Sequence, residues 1–214
     1  MTGCNRGIGL ELARQFQARG DTVIGVCRRT SPELADLDIE VMDSIDVSVA
    51  SDISDLQEKI GQREISILVN NAGMLQSDTV DSIDFDAMVR QFEVNSLGPL
   101  RVTLALLGNL PANSRVAIVS SRVGSIADNS SGRNYGYRTS KAAVNMIGAN
   151  LHHDLAERQI AVALLHPGLV ATDMTGGTGV SPTDSAAGLI ARIDGLNLEN
   201  SGSFWHAEGY ELPW

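Results

Sequence analysis

The sequence is poor in the features that mark several specialised classes of protein. Only two of its 214 residues are cysteines, too few for a disulfide framework, so we expect reduced thiols and a cytoplasmic location. No apolar run reaches the roughly 18 residues of a membrane-spanning helix, and residues 1–5 carry no basic leader with an apolar stretch after it. Membrane insertion and export are therefore not expected.

Basic residues are also scarce. The chain has 16 Lys and Arg against 26 Asp and Glu, which gives a formal net charge of −10. Such a charge repels a phosphate backbone or an anionic membrane unless basic residues cluster, so neither is an expected partner. The hydrophobic fraction of 43% is ordinary for a globular chain. The length favours one domain over residues 1–214.

The sequence does contain a regular alternation of short β-branched runs and longer patterns with a helical period. Strands are predicted at residues 22–27, 39–42, 65–69, 115–120, 160–165 and 203–206. Helices are predicted at residues 7–19, 51–61, 83–107, 135–157 and 182–193. Because the strands are apolar throughout, both faces of the sheet must be covered. The pattern therefore predicts an α/β fold with a doubly wound, mostly parallel sheet and helices on both faces.

A glycine-rich loop lies directly before the first predicted helix. Gly3, Gly7 and Gly9 belong to the run Thr-Gly-Cys-Asn-Arg-Gly-Ile-Gly. Glycines let backbone N–H groups approach a pyrophosphate, and a helix N-terminus favours its negative charge. The loop is therefore a candidate dinucleotide-binding site of the Rossmann type, although three glycines alone are equally compatible with an ordinary tight turn.

The residues at the end of the 22–27 strand bear on which dinucleotide would bind. Sites that prefer NAD usually place an acidic residue there, about 20 residues after the glycine loop. This chain has Cys27, Arg28 and Arg29 instead. These arginines, with Arg6 of the glycine loop, would attract the 2′-phosphate of NADP, so we expect NADP (NADPH). The alternative is that they are ordinary surface charges.

Tyr137 and Lys141 lie four residues apart at the start of a predicted helix, which places both side chains on one helix face. An unperturbed phenol has a pKa of about 10, and an adjacent ammonium is expected to lower it. The pair is therefore a candidate proton-transfer unit. A Tyr-x-x-x-Lys spacing also occurs by chance in many helices.

Taken in order, these motifs resemble those of the short-chain dehydrogenase/reductase family. Between the glycine loop and Tyr137 lie Asn70-Asn-Ala-Gly73 at a strand end, Asn95 within a helix, and Ser120-Ser-Arg-Val-Gly124 at the next strand end. The resemblance covers essentially the whole chain. Residues 137–145, 165–173 and 209–214 are most similar to the branch of sniffer-type carbonyl reductases and bacterial C-factor proteins.

The resemblance implies a role for each matching residue. Tyr137 would be the general acid/base for the carbonyl or alcohol oxygen, and Lys141 would lower its pKa and bind the nicotinamide ribose. Ser121 would hydrogen-bond the substrate oxygen, and Asn95 would hold a water that passes protons to Lys141. Taken singly, Ser121 could equally cap its own turn and Asn95 could be a buried amide bonded to backbone.

The resemblance further implies an adenine contact at Asp46 and Val47, and contacts of the nicotinamide and phosphates with the segment after the 160–165 strand. No metal is implied. The implied cofactor-binding residues are Gly3, Arg6, Gly7, Ile8, Gly9, Arg28, Arg29, Asp46, Val47, Asn71, Ala72, Gly73, Pro167, Gly168, Val170 and Thr172.

The implied activity is an NADP-dependent oxidoreductase that moves a hydride between nicotinamide and a small-molecule carbonyl or alcohol substrate, working as a homodimer or homotetramer. Residues 175–181 include Gly176, Gly177 and Gly179 and form a short segment where longer relatives have lid helices. We therefore expect an open pocket that tolerates varied substrates.

One feature departs from the family, in which an apolar strand precedes the glycine loop at the sheet centre. Here only Met1 precedes Thr2, so the first strand is expected to be missing, leaving a gap with unpaired backbone groups. A truncated start, another segment filling the gap, and a closed-up sheet remain open. The gap also allows an alternative function, a non-enzymatic signalling or interaction protein of the C-factor type with impaired cofactor binding.

Overall fold

The structure is a computed structural model that describes residues 1–214. Its strands run parallel and alternate with helices along the chain, as predicted. The strands are β1 (Ile24–Val26), β2 (Glu40–Met42), β3 (Ile67–Asn70), β4 (Arg115–Val119), β5 (Ala161–His166) and β6 (Phe204–His206). β1 pairs with β2, and β3 to β6 pair in the order of the sequence.

The α-helices are α1 (Gly7–Ala18), α2 (Pro32–Ala35), α3 (Ala50–Ile60), α4 (Phe85–Phe92), α5 (Gly98–Ala105), α6 (Tyr135–Leu155) and α7 (Pro182–Gly195). α2 was not predicted from the sequence, because four residues are too few to show a helical period. Its start does carry a signal: the Ser31 hydroxyl accepts a hydrogen bond from the Leu34 N–H, and Pro32 occupies the first turn. No helix combines the length and the hydropathy needed to cross a bilayer.

Helices cover both faces of the sheet. On one face the core includes Leu12 of α1 and Leu189 of α7. On the other it includes Leu56 of α3, Val102 of α5 and Val144 of α6. All five side chains are fully buried. Two apolar layers on opposite faces of the parallel strands confirm the predicted doubly wound α/β fold.

Residues 1–3 lie between β1 and β3. The Val26 N–H donates to the Met1 carbonyl at 2.8 Å, and the Gly3 N–H donates to the Val26 carbonyl at 2.8 Å. On the other side the Thr2 N–H donates to the Val69 carbonyl at 2.9 Å. The expectation of a wholly unpaired gap is therefore wrong at this level of the sheet, because the backbone groups of residues 1–3 bond both neighbouring strands.

The helix predicted at residues 83–107 is not continuous. α4 ends at Phe92, a π-helical turn follows over Glu93–Leu97, and α5 begins at Gly98. Pro99 gives the physical reason: it has no N–H, so the carbonyl of Asn95 cannot receive an α-helical hydrogen bond from it. A wider turn accommodates this break. Asn95, within the turn, is buried with 1% of its surface exposed.

Candidate active site

The glycine loop lies between the centre of the sheet and the start of α1. Gly3 has φ +68°, and a Cβ there would lie 2.7 Å from the Ala72 Cα. A Cβ on Gly9 would lie 2.1 Å from the Gly3 carbonyl oxygen. Arg6, at the N-cap of α1, makes no side-chain cap hydrogen bond, and the first turn has no acidic residue. The free N–H groups of this turn fit a pyrophosphate.

The segment after β5 faces this loop. A Cβ on Gly7 would lie 3.3 Å from the Thr172 methyl group, and Arg6 Nη1 lies 2.9 Å from Asp173 Oδ2. The loop and the segment enclose a cavity of about 280 Å³, lined by Arg6, Gly73, Met74, Leu75, Asp173 and Met174. Arg6 pairs with Asp173 in this structure, and its contact with the 2′-phosphate beside Arg28 and Arg29 stays a prediction.

Asn71, Ala72 and Thr2 hold the glycine loop in place. The Asn71 side-chain amide donates to the Thr2 and Gly3 carbonyls at 3.2 and 2.9 Å. The N–H groups of Asn71 and Ala72 both donate to the Thr2 hydroxyl at 3.1 Å. Ile8, the other predicted residue of this region, is half-buried and packs on the core beneath α1. The Asn71 side chain therefore positions the loop.

The predicted adenosine-end residues come together at the ends of β1 and β2. Arg28 and Arg29 are exposed, and Arg28 Nη1 lies 3.7 Å from Asp46 Oδ2. Burial acts to raise the pKa of Asp46, but hydrogen bonds from Ser48 and the charge of Arg28 outweigh it, so this pKa is lowered. Val47 is buried against Gly98. Two guanidinium groups thus lie free of the core where a 2′-phosphate was predicted.

Pro167, Gly168 and Val170 follow β5, as expected for the nicotinamide side. The Pro167 carbonyl accepts a hydrogen bond from the Ser185 hydroxyl at 2.8 Å, and Gly168 has φ +87°. Val170 is buried and bridges to Val180. These contacts tie the segment to α7 and give it a fixed course past the sheet edge.

Tyr137 and Lys141 lie on one face of α6, as the spacing predicted. The Lys141 ammonium lies 5.7 Å from the centroid of the Tyr137 ring. It donates to the Val119 carbonyl at 2.9 Å, and the side chain is buried. Burial lowers the pKa of Lys141 to about 8.

The expected lowering of the Tyr137 pKa is wrong for this structure. Burial raises the pKa of Tyr137 to about 12, and the Ser121 hydroxyl acts against this rise without overcoming it. Lys141 contributes no lowering, because its ammonium is bonded to Val119. Tyr137 is therefore protonated at neutral pH.

Ser121 lies where β4 ends and opens a short 3₁₀ turn, in which its hydroxyl accepts from the Val123 N–H at 3.4 Å. The same hydroxyl interacts with Tyr137. Ser120 instead donates to Asn145 Oδ1 at 2.5 Å, inside the core. Of the two serines, Ser121 is therefore the one beside the tyrosine, as the motif predicted.

Asn95 lies beside Lys141, with Gly73 next to both. A Cβ on Gly73 would lie 3.3 Å from Asn95 Oδ1 and 3.8 Å from Lys141 Nζ. The Asn95 amide donates to the Met74 carbonyl and the Ser140 hydroxyl and accepts from the Met74 N–H. These bonds occupy the Asn95 side chain, and its water-holding role stays a prediction.

Two further polar residues lie near the site: His166, which belongs to the predicted segment at the end of β5, and Asp78, which was not identified from the sequence. Burial, together with His206, Arg122 and Lys141, lowers the pKa of His166 at the end of β5 to about 3, so this imidazole is neutral. Asp78 places its carboxylate at the start of α6. Asp78 carries no local signal, because it acts through contacts with residues distant in the chain.

The family model described as short chain dehydrogenase matches residues 1–180. The 1-hydroxy-2-glutathionyl-2-methyl-3-butene dehydrogenase of Rhodococcus sp. (strain AD45) is 41% identical over 221 residues, covering 100% of this chain and 98% of that protein. The C-signal protein of Myxococcus xanthus is 45% identical over 154 residues, covering 70% of this chain and 93% of that protein.

Solved structures with the same fold include carbonyl reductases. The Sniffer carbonyl reductase of D. melanogaster superposes with a TM-score of 0.90 at 28% identity. A carbonyl reductase from Pseudomonas aeruginosa PAO1 in complex with NADP superposes with a TM-score of 0.88 at 33% identity. Each covers 100% of this chain, which in turn covers 97% of each of those chains. The resemblance found in the sequence is confirmed, including its narrower branch.

Proposed function

Because the chain belongs to the short-chain dehydrogenase/reductase family of oxidoreductases, we propose that it transfers a hydride between NADP and a carbonyl or alcohol group, with Tyr137 as the general acid/base. The observation that carries this proposal is the meeting of Tyr137, Ser121 and Lys141 beside a glycine loop with a free helix N-terminus. The glycine loop binds the dinucleotide, and Tyr137 donates or accepts the proton.

In the reduction direction, a bound NADPH would supply the hydride to the carbonyl carbon. The Ser121 hydroxyl donates a hydrogen bond to the carbonyl oxygen, and Tyr137 passes its proton to that oxygen as negative charge develops. Burial, which raises the pKa of Tyr137 to about 12, keeps the phenol protonated and suits it to this direction. Lys141 binds the nicotinamide ribose from the same helix face.

The preference for NADP rests on Arg28 and Arg29. Both are exposed at the end of β1, where an NAD-binding site would offer a carboxylate to the ribose. Asp46 lies near, but it bonds to Ser48 and faces Arg28. The guanidinium groups therefore match a 2′-phosphate better than a free 2′-hydroxyl. The NADP complex of the Pseudomonas carbonyl reductase supports the same choice.

The substrate pocket is proposed to be open. Residues 175–181 fold back on the strand end, where the Val180 N–H donates to the Leu169 carbonyl and the Ala171 N–H donates to the Val180 carbonyl. Only a 3₁₀ turn forms there, at Asp173–Thr175, and no lid helix. An activity assay should therefore test a panel of aldehydes, ketones, quinones and a glutathione-conjugated alcohol. The last is included because of the Rhodococcus relative.

The central experiment measures NADPH oxidation with this panel together with NADPH fluorescence on titration with protein. We expect saturable NADPH binding and turnover of several carbonyl compounds. A complete lack of NADPH binding at high protein concentration would overturn the proposal and favour the non-enzymatic interaction protein, for which the C-signal relative is the specific support. Turnover of a single substrate only would contradict the open pocket.

We also propose that the protein is a homodimer or homotetramer through α4 and α6. Phe85 and Val89 of α4 are 73% and 60% exposed, and Met146 of α6 is 63% exposed. α4 packs along α6, so these apolar side chains belong to one side of the protein. An apolar surface of this kind is typical of a subunit interface.

A further inference from the structure

The helix that carries Tyr137 begins without a cap from its own neighbours. Gly132, Arg133 and Asn134, the residues just before α6, have φ values of +61°, +59° and +51°. Asn134 is the N-cap, and it makes no side-chain cap hydrogen bond. N-cap residues are normally extended and cap with their own side chain. The left-handed backbone is costly for residues other than glycine, so something outside this segment must hold the helix start.

Asp78 supplies what the segment lacks. Its backbone carbonyl accepts from the Asn134 N–H at 2.9 Å. Its carboxylate accepts from the Tyr135 N–H at 2.6 Å and from the Gly136 N–H at 3.2 Å. Asp78 is 8% exposed, so water cannot readily replace these bonds. Three consecutive N–H groups, those of residues 134–136, thus converge on one residue more than fifty positions earlier in the chain.

The loop that carries Asp78 is itself fixed to α4 and the π turn. Asn95 bonds both backbone groups of Met74, and the Gln76 N–H donates to the Gln91 side-chain oxygen at 3.0 Å. Gln91 is completely buried, and a Cβ on Gly136 would lie 2.4 Å from its amide nitrogen. The capping carboxylate is therefore held by a packed element and cannot follow α6 if that helix shifts.

We propose that Asp78 is a positioning residue for Tyr137, in that its carboxylate sets where α6 begins and so where the phenol meets Ser121 and the substrate oxygen. The inference rests on the proposed function, since it assigns Tyr137 the proton transfer. Tyr137 directly follows Gly136, the last of the capped residues. A change in the helix start would therefore displace the phenol, while the glycine loop at α1 would remain as it is.

The test compares Asp78→Ala and Asp78→Asn with a matched control, Asp84→Ala. Asp84 is likewise an N-cap carboxylate, which accepts from the Ala87 N–H at 3.0 Å, but it caps α4. Because misplacing a reacting group by about 1 Å can cost a factor of 100, we expect kcat to fall about 10- to 100-fold in Asp78→Ala. Asp78→Asn keeps one acceptor oxygen, so its kcat should lie between those of Asp78→Ala and the wild type. The NADPH dissociation constant should not change in either variant.

Hydrogen exchange followed by mass spectrometry gives a readout that does not depend on turnover. Amides of residues 134–136 should exchange faster in Asp78→Ala, and their protection should be intact in Asp84→Ala. A wild-type kcat in Asp78→Ala, an equal loss of kcat in Asp84→Ala, or unchanged protection in Asp78→Ala would each overturn the inference. If the wild-type protein shows no turnover at all, the proposed function falls, and the exchange result alone decides the role of Asp78.

Discussion

Burial changes the pKa values of Tyr137 and Lys141 in opposite directions. It raises the pKa of the phenol to about 12 and lowers that of the ammonium to about 8, so the neutral form of each group is favoured. An adjacent ammonium would have lowered the phenol pKa only if it pointed toward the hydroxyl. In this structure it points to Val119. The free protein thus keeps the phenol proton, which the proposed carbonyl reduction would consume.

Removing that proton donor gives the most direct test of the chemistry. Tyr137→Phe keeps the ring and loses the hydroxyl. We expect the turnover number to fall by a factor of about 100 to 10,000, the usual contribution of a general acid. NADPH binding, measured by fluorescence, should be unchanged.

The control for Tyr137→Phe is Tyr135→Phe, which alters a neighbouring tyrosine in the first turn of α6 that is 40% exposed. It should keep near-normal turnover. A Tyr137→Phe variant with near-normal turnover would show that another group supplies the proton.

The buried, charged Lys141 side chain should lower the free energy of unfolding of the cofactor-free protein at neutral pH. Its pKa is about 8 when folded and 10.5 in the reference state, so between these values the unfolded chain binds more protons and stability rises with pH. Below pH 8 the cost is fully present. We expect Lys141→Met to raise the free energy of unfolding by about 2–3 kcal/mol at pH 7, despite the loss of the bond to Val119.

Urea unfolding of wild type and Lys141→Met at pH 7 and pH 10 measures this effect. The stability difference should largely disappear by pH 10, where the folded wild type has lost the proton. A difference of the same size at both pH values would contradict the assigned titration. The variant should also lose turnover, so that stability and activity change in opposite directions.

The loop after β1 is the element that should determine whether the protein prefers NADPH or NADH. Arg28 and Arg29 are exposed there, and a charge-assisted hydrogen bond contributes about 1.5–3 kcal/mol. We expect Arg28→Ala with Arg29→Ala to raise the KM for NADPH at least about 10-fold and to leave that for NADH unchanged. The control Arg158→Ala removes an exposed arginine after the end of α6. Equal KM values for NADH and NADPH in the wild type would contradict the preference for NADP.

The sequence could predict the features of these elements that depend on residues close together in the chain. The spacing of Tyr137 and Lys141 places them on one face because α6 is regular, and the glycines of residues 3–9 mark a loop because their backbone geometry is local. The break between α4 and α5 was missed, although Pro99 was a readable signal for it. The amide bonds of Asn95 to Met74 join residues 21 positions apart, and no pattern in the sequence indicates them.

Across the sheet, strand pairing likewise divides into features that depend on nearby residues and features that depend on distant ones. Apolar runs predicted the parallel strands, because a strand that is buried on both faces is apolar at almost every position, and this is visible in each run by itself. The pairing of residues 1–3 with both β1 and β3 was not predicted, since three residues carry no periodic pattern. Similarly, Asp78 and the start of α6 meet only through the packing of α4 on α6. Contacts of this kind require the assembled fold.

The exposed apolar side of α4 and α6 leads to a prediction about assembly. Phe85, Val89 and Phe92 repeat at a helical spacing on α4, with 73%, 60% and 40% of their surfaces exposed. Val89→Glu adds a charge to this side without removing a core contact. We therefore expect it to give a folded monomer by light scattering, while the wild type is a dimer or tetramer.

The matched control for Val89→Glu is Leu198→Glu, which places the same charge on an exposed apolar residue, 46% accessible, between α7 and β6. It should leave the oligomer intact, because Leu198 lies outside the α4–α6 side. Circular dichroism of both variants should match the wild type, since neither position is buried. A wild type that is monomeric at high micromolar concentration, or a Leu198→Glu variant that dissociates as readily as Val89→Glu, would contradict an interface at α4 and α6.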